Sequence, residues 1–453
     1  MTSCQVSRRA DSLTHRPMRY WQKFSGGSMH IHQHIYVMGH HHEALNACLW
    51  LASLGKQVHL WAKPADIQQT LEHYQFDTQM AMLWSLYCSE NKIILADGEL
   101  QPFLQHSRGR LLWLFLEDIG ETIGEIKKFL HQNANPHSQI ILSGTGHIGT
   151  MAAIAEQIKS AWVYYLPISF MKDGANFNAF YRANLLMIGE KSTGSVQMCD
   201  VLMLLKGNAA QCEITDIKTV EFARSSMIAM LATRLSFMNE MARLADKQSV
   251  NIKAVERIMG KDHRIGSAYL SAGWGFGGKT LPKELALLSD DFAANRVQTT
   301  LISATSAINE DQKELIFRKF WRYFDGFIEQ KTVVIWGTGY RRGASRTTNS
   351  AIHPLLKLLW SYGIATRVYT HHTAFEIQSL YGDEPLLTLV DDAYTPLMDA
   401  DALFIVNWSL LVPPDIHKLN QINLPIFDAK NVLDDDSIAQ LSAPYFGIGY
   451  HRE

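Results

Sequence analysis

Segment 35–61, IYVMGHHHEALNACLWLASLGKQVHLW, switches twice between two hydrophobic patterns. The apolar run 35–38 is followed by Gly39 and then by a helix-like stretch at 43–54. A glycine ends that stretch, and a second apolar run follows at 58–61. A strand, a helix and a strand in this order predict a βαβ unit with parallel strands.

The same alternation recurs on both sides of a long helical pattern. Apolar runs at 111–116 and 140–142 continue the first series, and a second series restarts at 333–336. Between them, residues 217–244 repeat at helical spacing. The sequence therefore predicts an α/β fold, in which two Rossmann-like doubly wound parallel-sheet domains are joined by a long central helix and a helical middle domain. The predicted limits are an extension at 1–28, a first Rossmann-like domain at 29–213, a helical dimerisation domain at 214–326 and a second Rossmann-like domain at 327–453.

Composition narrows the function classes. The chain has 453 residues, of which 47% are hydrophobic, and a formal net charge of -2. That balance gives no basic field for nucleic acid or anionic lipid, and no run approaches the ~20 apolar residues of a membrane helix. The 5 cysteines form no C-x-x-C pair, so neither zinc nor a disulfide framework is predicted, and a reducing cytoplasm is expected.

The first 28 residues differ from the rest, because they are basic and carry no strand pattern. Their charges are Arg8, Arg9, Arg16, Arg19 and Lys23 against Asp11. A transit peptide is one interpretation. We favour a disordered tail or an early start codon, and expect the folded chain to begin after Met29.

The turn after the first strand departs from a dinucleotide-binding turn. Such a turn has glycine at three positions, so that the backbone approaches a pyrophosphate. Gly39 keeps the first, Ala44 is a tolerated substitute for the third, and His41 replaces the second. The acid expected after the second strand, for the ribose, is replaced by Trp61-Ala62-Lys63. Dinucleotide binding is predicted to be weak or absent.

Three consecutive histidines, 40–42, with His32 and His34 nearby, also raise the question of a metal site. Adjacent residues rarely converge on one ion, and no cysteine or acid pattern accompanies them. We predict no metal, and interpret the histidines as a turn that leads into a helix.

Segment 262–284, DHRIGSAYLSAGWGFGGKTLPKE, resembles the signature of the UDP-glucose and GDP-mannose dehydrogenases. That signature reads D-x-R-I-G-x-x-F-L and then G-x-G-F-G-G-S-C-F-P-K-D. Shorter similarities extend the resemblance over about residues 33–453. The residues that carry them are Thr145 with Gly149-Thr150, Phe170 with Gly174, Glu221, segments 231–234 and 237–240, and segment 428–431.

The resemblance implies a dimer that oxidises the C6 alcohol of a UDP- or GDP-sugar to a carboxylate with two NAD molecules. Such chemistry uses a cysteine thiolate, which captures the intermediate aldehyde and then forms a thioester. It also implies a lysine, an asparagine and an acid that stabilise the alkoxide and activate water.

Five positions that the resemblance marks as catalytic are altered. Thr280 stands at the cysteine position and is a far weaker nucleophile. Arg224 stands at the lysine position and cannot release a proton. Ile228 replaces the asparagine, Glu284 replaces an aspartate, and Ser169 replaces a glutamate. The resemblance therefore predicts a degenerate catalytic site.

Binding positions are better kept. By resemblance, Thr145 belongs to the cofactor site, and the substrate positions are Arg264, Tyr269, Gly275, Gly277, Gly278, Lys283, Arg341 and Lys430. For the three glycines, close approach of a sugar and a turn required by the fold remain equal alternatives. For Arg264 and Lys283, nucleotide-sugar contact and plain surface charge remain equal alternatives.

Three hypotheses for function follow. The leading one is a catalytically degenerate member of this family, a homodimer with a binding or regulatory role in surface polysaccharide or nucleotide-sugar metabolism. The alternative is an active NAD-dependent dehydrogenase with an altered mechanism, such as one that stops at the aldehyde. The third is a heteromeric subunit beside an active paralogue.

Overall fold

The structure is a computed structural model that describes residues 33–73, 78–96, 98–132, 138–168, 180, 183–341, 344, 346–370, 372–408 and 412–452. The predicted extension at 1–28 and the predicted site residue Ser169 lie outside the described residues.

Within the described residues the strands are β1 His34–Met38, β2 Gln57–Trp61, β3 Ile93–Ala96, β4 Leu111–Phe115, β5 Gln139–Ser143, β6 Val163–Tyr165, β7 Leu185–Glu190, β8 Gln211–Asp216, β9 Thr332–Trp336, β10 Ala365–Tyr369, β11 Leu387–Val390, β12 Ala402–Ile405, β13 Ile426–Asp428, β14 Tyr445–Gly447 and β15 Tyr450–Arg452. The α-helices are α1 His42–Ser53, α2 Pro64–His73, α3 Thr78–Ser89, α4 Leu100–His106, α5 Leu116–Ile119, α6 Ile123–Gln132, α7 Thr150–Gln157, α8 Asp200–Asn208, α9 Ile217–Gln248, α10 Ile252–Lys261, α11 Thr280–Ala294, α12 Thr300–Gln312, α13 Leu315–Tyr323, α14 Ile352–Ser361, α15 Ala374–Tyr381, α16 Ile416–Ile422 and α17 Asp435–Gln440.

The strands form two sheets of similar topology. The first has the order β3-β2-β1-β4-β5-β6-β7-β8, and the second has the order β11-β10-β9-β12-β13-β14-β15. Neighbouring strands are parallel except for the pairs β6–β7 and β14–β15. In each sheet the chain first adds strands from the centre towards one edge. It then returns to the centre and adds strands towards the other edge, as in a doubly wound fold. The predicted fold class is confirmed.

Uninterrupted apolar runs form the central strands because helices cover both faces of each sheet. All five residues of β4 are buried, and so are all four of β12. Trp50 of α1 and Trp113 of β4 belong to one core cluster of the first sheet, and Leu114 belongs to the cluster on its other face. Burial of these large side chains from water supplies most of the driving force for folding.

Helix α9 links the two sheets. Asp216 caps its start, because the Asp216 side chain accepts a hydrogen bond from the Thr219 amide at 2.9 Å. The helix ends before Ser249, which adopts a left-handed φ of 53°. Its 32 residues span about 48 Å. Helices α11 and α12 pack along it. None of the described helices is long and apolar enough to cross a membrane.

Candidate functional site

The candidate site lies at the carboxyl edge of the first sheet, where β1 and β4 are neighbours. Met38 pairs with Leu114 near the ends of these two strands. Because both strands run in the same direction, the residues that follow them meet in one crevice, the usual ligand site of such sheets. Residues 39–41 follow β1, and residues 116–118 follow β4.

Asp118 occupies the turn that resembles a dinucleotide site. Its Oδ2 accepts hydrogen bonds from the backbone amides of His40 at 2.8 Å and of His41 at 2.9 Å. Its other oxygen forms an ion pair with the His41 imidazole. Gly39 is required here, because a Cβ on it would lie 2.6 Å from Asp118 Oδ2.

The charge of Asp118 acts on the pKa of both histidines in this turn. A hydrogen bond with Asp118 raises the pKa of His41, although burial opposes it. Burial lowers the pKa of His40, while the charges of Asp118 and Asp66 oppose that shift. The amides at the start of α1, which would donate to a pyrophosphate in a Rossmann turn, donate here to a carboxylate of the same chain.

The residues of this turn do not fit NAD as it binds to a Rossmann turn. Asp118 stands where a phosphate would be, and a second anion there would be repelled. β2 ends at Trp61, and the exposed Lys63 follows instead of a ribose-binding acid. Asp66, in the first turn of α2, is an acid whose charge acts on His40, and the sequence interpretation missed it.

In the structure an acid accompanies the histidines, although the sequence shows no acid pattern beside them. Ligand atoms of His40, His41 and Asp118 lie within 4.8 Å of one another. Asp118 is distant in sequence and reaches them only because β1 and β4 are adjacent. His34, at the start of β1, instead contacts His59 through ring nitrogens 3.1 Å apart. The absence of a metal ion stays a prediction.

Glu117, beside Asp118, is joined to the signature loop. Its carboxylate lies 2.6 Å from Lys279 Nζ and 3.2 Å from Lys283 Nζ. Burial would raise the pKa of Glu117, but hydrogen bonds from Lys279 and Thr145 and the charges of both lysines lower it to about 2. Lys283 is therefore paired with an acid of the same chain. The two alternatives for it, nucleotide-sugar contact and plain surface charge, did not include such a pair.

The two predicted positions Arg224 and Glu284 form a buried ion pair. Arg224 of α9 donates to one Glu284 oxygen, and the Ser225 hydroxyl donates to the other. Arg224 also donates to Thr145 Oγ1 at 3.2 Å. These side chains are held by one another, so Glu284 is not free to act as a base. One turn along α9, Ile228 is 6% exposed and offers no polar atom.

Thr280 is the first residue of α11, and it lines a cavity together with Thr145, Arg224, Lys279 and Lys283. The volume of about 130 Å³ is below the roughly 300–1,000 Å³ of typical ligand pockets. None of the four described cysteines lines it. Burial also raises the pKa of Cys199 to about 12, so that thiol stays protonated near neutral pH.

The glycines of the signature loop approach protein atoms. A Cβ on Gly275 would lie 2.9 Å from Asn309 Oδ1, and one on Gly277 would lie 2.5 Å from the Asn349 carbonyl oxygen. A Cβ on Gly278 would lie 2.8 Å from the Tyr340 ring. Close packing of the middle helices and the second sheet is thus sufficient reason for all three glycines.

The remaining predicted binding residues are dispersed. Arg264 has a side chain that is 78% exposed, and it pairs with Asp262, two residues earlier. Tyr269 is 43% exposed in a left-handed conformation. The Arg341 guanidinium lies over the Tyr340 ring, 5.7 Å from its centre.

Lys430 joins the second sheet to the signature loop. Its Nζ donates to the Gly275 carbonyl at 3.0 Å, and desolvation lowers its pKa to about 8. Ala44 is fully buried in α1 beside Gly39. Ala44 thus belongs to the core.

Two acids and one hydroxyl of the site were not found from the sequence. Glu117 and Asp118 directly follow the apolar run that forms β4, and Ser225 adjoins Arg224. The only available signal was the position of the acids at the end of a strand, which becomes informative once the strand is known to lie beside β1.

Two doubly wound sheets joined by a long helix are an architecture that this chain shares with known proteins. Residues 218–311 match the model of the UDP-glucose/GDP-mannose dehydrogenase family, central domain. The chain is 30% identical to UDP-glucose 6-dehydrogenase of Pseudomonas aeruginosa over 62% of this chain and 64% of the relative. It is 28% identical to that of Rickettsia bellii over 62% and 65% of the two chains.

A UDP-glucose dehydrogenase from the hyperthermophilic archaeon Pyrobaculum islandicum has a similar fold. The TM-score is 0.77 at 17% identity, over 92% of this chain and 98% of that one. The chain therefore resembles the UDP-glucose/GDP-mannose dehydrogenase family in its central segment, and it shares the fold of the archaeal enzyme. Its sequence matches span just under two thirds of the length of the curated relatives named above.

Proposed function

We propose that this chain is a catalytically degenerate nucleotide-sugar dehydrogenase, a homodimer that binds a UDP- or GDP-sugar and regulates or assists nucleotide-sugar metabolism without oxidising the sugar to its acid. Thr280, where the signature has cysteine, is the observation that carries this proposal. Thr280 lines the cavity at the start of α11, and no described cysteine lines that cavity.

The surrounding charges support the same conclusion. Oxidation to the acid needs a nucleophile, a proton acceptor and a donor to the oxyanion. In the cavity, Arg224 is paired with Glu284, and Lys279 is paired with Glu117. Ile228 lies on the same helix as Arg224, at the position where the resemblance places an asparagine. Its side chain offers no polar group in place of that asparagine. We infer that this chain lacks the nucleophile, the proton acceptor and the oxyanion donor that the reaction needs.

Turnover is the test. The purified chain would be incubated with NAD and UDP-glucose, GDP-mannose or a UDP-N-acetylhexosamine, with NADH followed at 340 nm and products identified by mass spectrometry. UDP-glucose 6-dehydrogenase of Pseudomonas aeruginosa is the positive control. We expect neither NADH nor a uronate. Sustained NADH with a uronate would refute degeneracy, and NADH with an aldehyde product would favour an active enzyme with an altered mechanism.

Ligand binding separates a regulator from an inert scaffold. Arg341 and Lys430 keep positive charge at the second sheet, at positions where the family signature has cations. Calorimetry with NAD, NADH and a panel of UDP- and GDP-sugars is expected to show nucleotide-sugar binding and weak or absent NAD binding. Binding of no nucleotide sugar at millimolar concentration would contradict the binding role.

An exposed apolar stripe on α9 supports the homodimer. Met230, Phe237 and Leu244 are 59%, 46% and 53% exposed, and they recur every seven residues. Met227 is 36% exposed, three residues before the first of them. A stripe with this spacing is suited to packing against a second helix, and apolar patches of this kind usually mark interfaces.

The dimer is tested by sedimentation velocity. Phe237→Glu would place a charge in the stripe and should give monomers. Leu380→Glu is the matched control, because Leu380 is 54% exposed on α15, away from α9. A wild-type chain that sediments as a monomer at micromolar concentration would contradict the homodimer. Co-purification with an active paralogue would instead favour a heteromer.

A further inference from the structure

A second, larger cavity lies away from the signature loop, between the end of α9, helix α13 and β14. Its volume is about 590 Å³, within the roughly 300–1,000 Å³ of typical ligand sites. It shares no lining residue with the cavity at Thr280. Its polar lining consists of Arg243, Asp246, Lys247, Arg318, Lys319 and Arg322.

The charges of this cavity do not cancel. Lys319 pairs with Asp246 at 2.7 Å. Arg243 and Arg318 share Asp311, and Arg318 also reaches Glu314 at 3.0 Å. Five cations against these three carboxylates leave two positive charges.

Lys247 and Arg322 carry that excess. Among the described residues, neither has a carboxylate within the 4.0 Å of an ion pair, and both are exposed. Desolvation lowers the pKa of Lys319, and the nearby charge of Arg322 acts in the same direction while Asp246 opposes it. An anion beside Arg322 would relieve the repulsion between Arg322 and Lys319.

The rest of the lining is apolar. Leu315, Tyr323, Pro444 and Phe446 form it, and the rings of Tyr323 and Phe446 meet edge to face at 5.2 Å. A bare inorganic anion would leave this wall unused. A ligand with phosphates and a flat ring would use both parts, because guanidinium and ammonium groups bind phosphate and aromatic side chains stack on bases.

We propose that this cavity is a second nucleotide site, separate from the nucleotide-sugar site of the family, with the phosphates at Lys247 and Arg322 and the base against Tyr323 and Phe446. Such a site would let a nucleotide regulate the protein without entering the crevice at Thr280. The proposal does not depend on whether the chain has lost catalysis.

Calorimetry on the full chain tests the proposal, with ADP, UDP, adenosine and inorganic pyrophosphate as probes. Lys247→Gln/Arg322→Gln removes both excess charges without breaking an ion pair. Lys128→Gln/Lys159→Gln is the matched control, since both lysines are exposed on the first domain. We expect a nucleoside diphosphate to bind more tightly than pyrophosphate or adenosine, and the cavity variant to weaken its binding at least about fivefold. The control should bind as the wild type does.

Arg341→Gln separates this site from the nucleotide-sugar site. If both exist, Arg341→Gln weakens UDP-sugar binding and leaves ADP binding unchanged, whereas the cavity variant does the reverse. The proposal is overturned if the wild type binds no nucleoside diphosphate at millimolar concentration, or if the cavity variant binds it as tightly as the wild type. It is also overturned if pyrophosphate alone binds as well as the nucleotides.

Discussion

Restoring the missing thiol tests how far the site has decayed. Thr280→Cys places a sulfhydryl at the exposed start of α11, in the cavity that also contains Arg224. A thiol at a helix N-terminus has a lowered pKa and is reactive. We expect the variant to gain a reactive cysteine and still to lack dehydrogenase activity.

The expected deficit follows from the neighbours of the new thiol. Ile228 offers no hydrogen bond to a developing oxyanion, and the loss of one such donor costs about 100–1,000-fold in rate. Arg224 is held by Glu284 and cannot pass protons, and proton transfer contributes about 100–10,000-fold. These factors are not additive. A reduction of about 1,000-fold from the ~10 per second of a typical enzyme leaves about 0.01 per second at most.

Stopped-flow absorbance at 340 nm, with saturating NAD and several UDP-sugars, measures the rate. Alkylation followed by mass spectrometry verifies that the new thiol is accessible. Thr300→Cys is the matched control, because Thr300 is also the exposed first residue of a helix but lies outside the cavity. Turnover near one per second by Thr280→Cys alone would show that the reasoning is wrong. We expect recovery to need Arg224→Lys and Ile228→Asn as well, together with His41→Gly.

Four further outcomes are expected. Asp118→Ala should tighten NAD binding at least about tenfold by freeing two amides, as measured by calorimetry; unchanged affinity would mean that the carboxylate does not block the turn. Arg224→Met should lower the free energy of unfolding by about 3–5 kcal/mol, because the buried Glu284 side chain would lose its cationic partner, and adding Glu284→Gln should recover part of this loss in urea unfolding. The pKa of Lys430, lowered from 10.5 to about 8, means that the unfolded chain binds more protons between these values. Stability should therefore rise from pH 8 to pH 10.5, by at most about 3 kcal/mol, and Lys430→Met should remove that rise. A chain that starts at Met29 should fold and dimerise like the full chain, and a chain that fails to do so would give residues 1–28 a structural role.

Local sequence patterns were sufficient to predict the helices and strands and the fold class. The apolar run at 111–116 becomes the fully buried β4, and the helical repeat at 217–244 becomes α9. Strand and helix periods differ, and glycines mark the turns, so neighbouring residues carry this information. The altered positions Thr280 and Ile228 could also be assigned, because the motif around them is long.

The pairing of charges could not be predicted in this way. Glu117 and Lys279 are 162 positions apart, and Arg224 and Glu284 are 60 apart. No local period relates such residues, and each pair forms only when a sheet edge, a loop and α9 come together. For the same reason the acid beside the histidines was missed.

By itself, the sequence determined the two βαβ series, the long helix between them, the family resemblance and the residue types at the positions that this resemblance marks as catalytic, since these depend on local pattern and motif. Only the tertiary structure decided that Asp118 binds the amides of the turn after β1 and that Arg224 and Glu284 pair with each other. It also decided that the signature glycines pack against protein. These contacts depend on which strands are neighbours and on how the helices lie across them, and that arrangement is set by burial of the whole core.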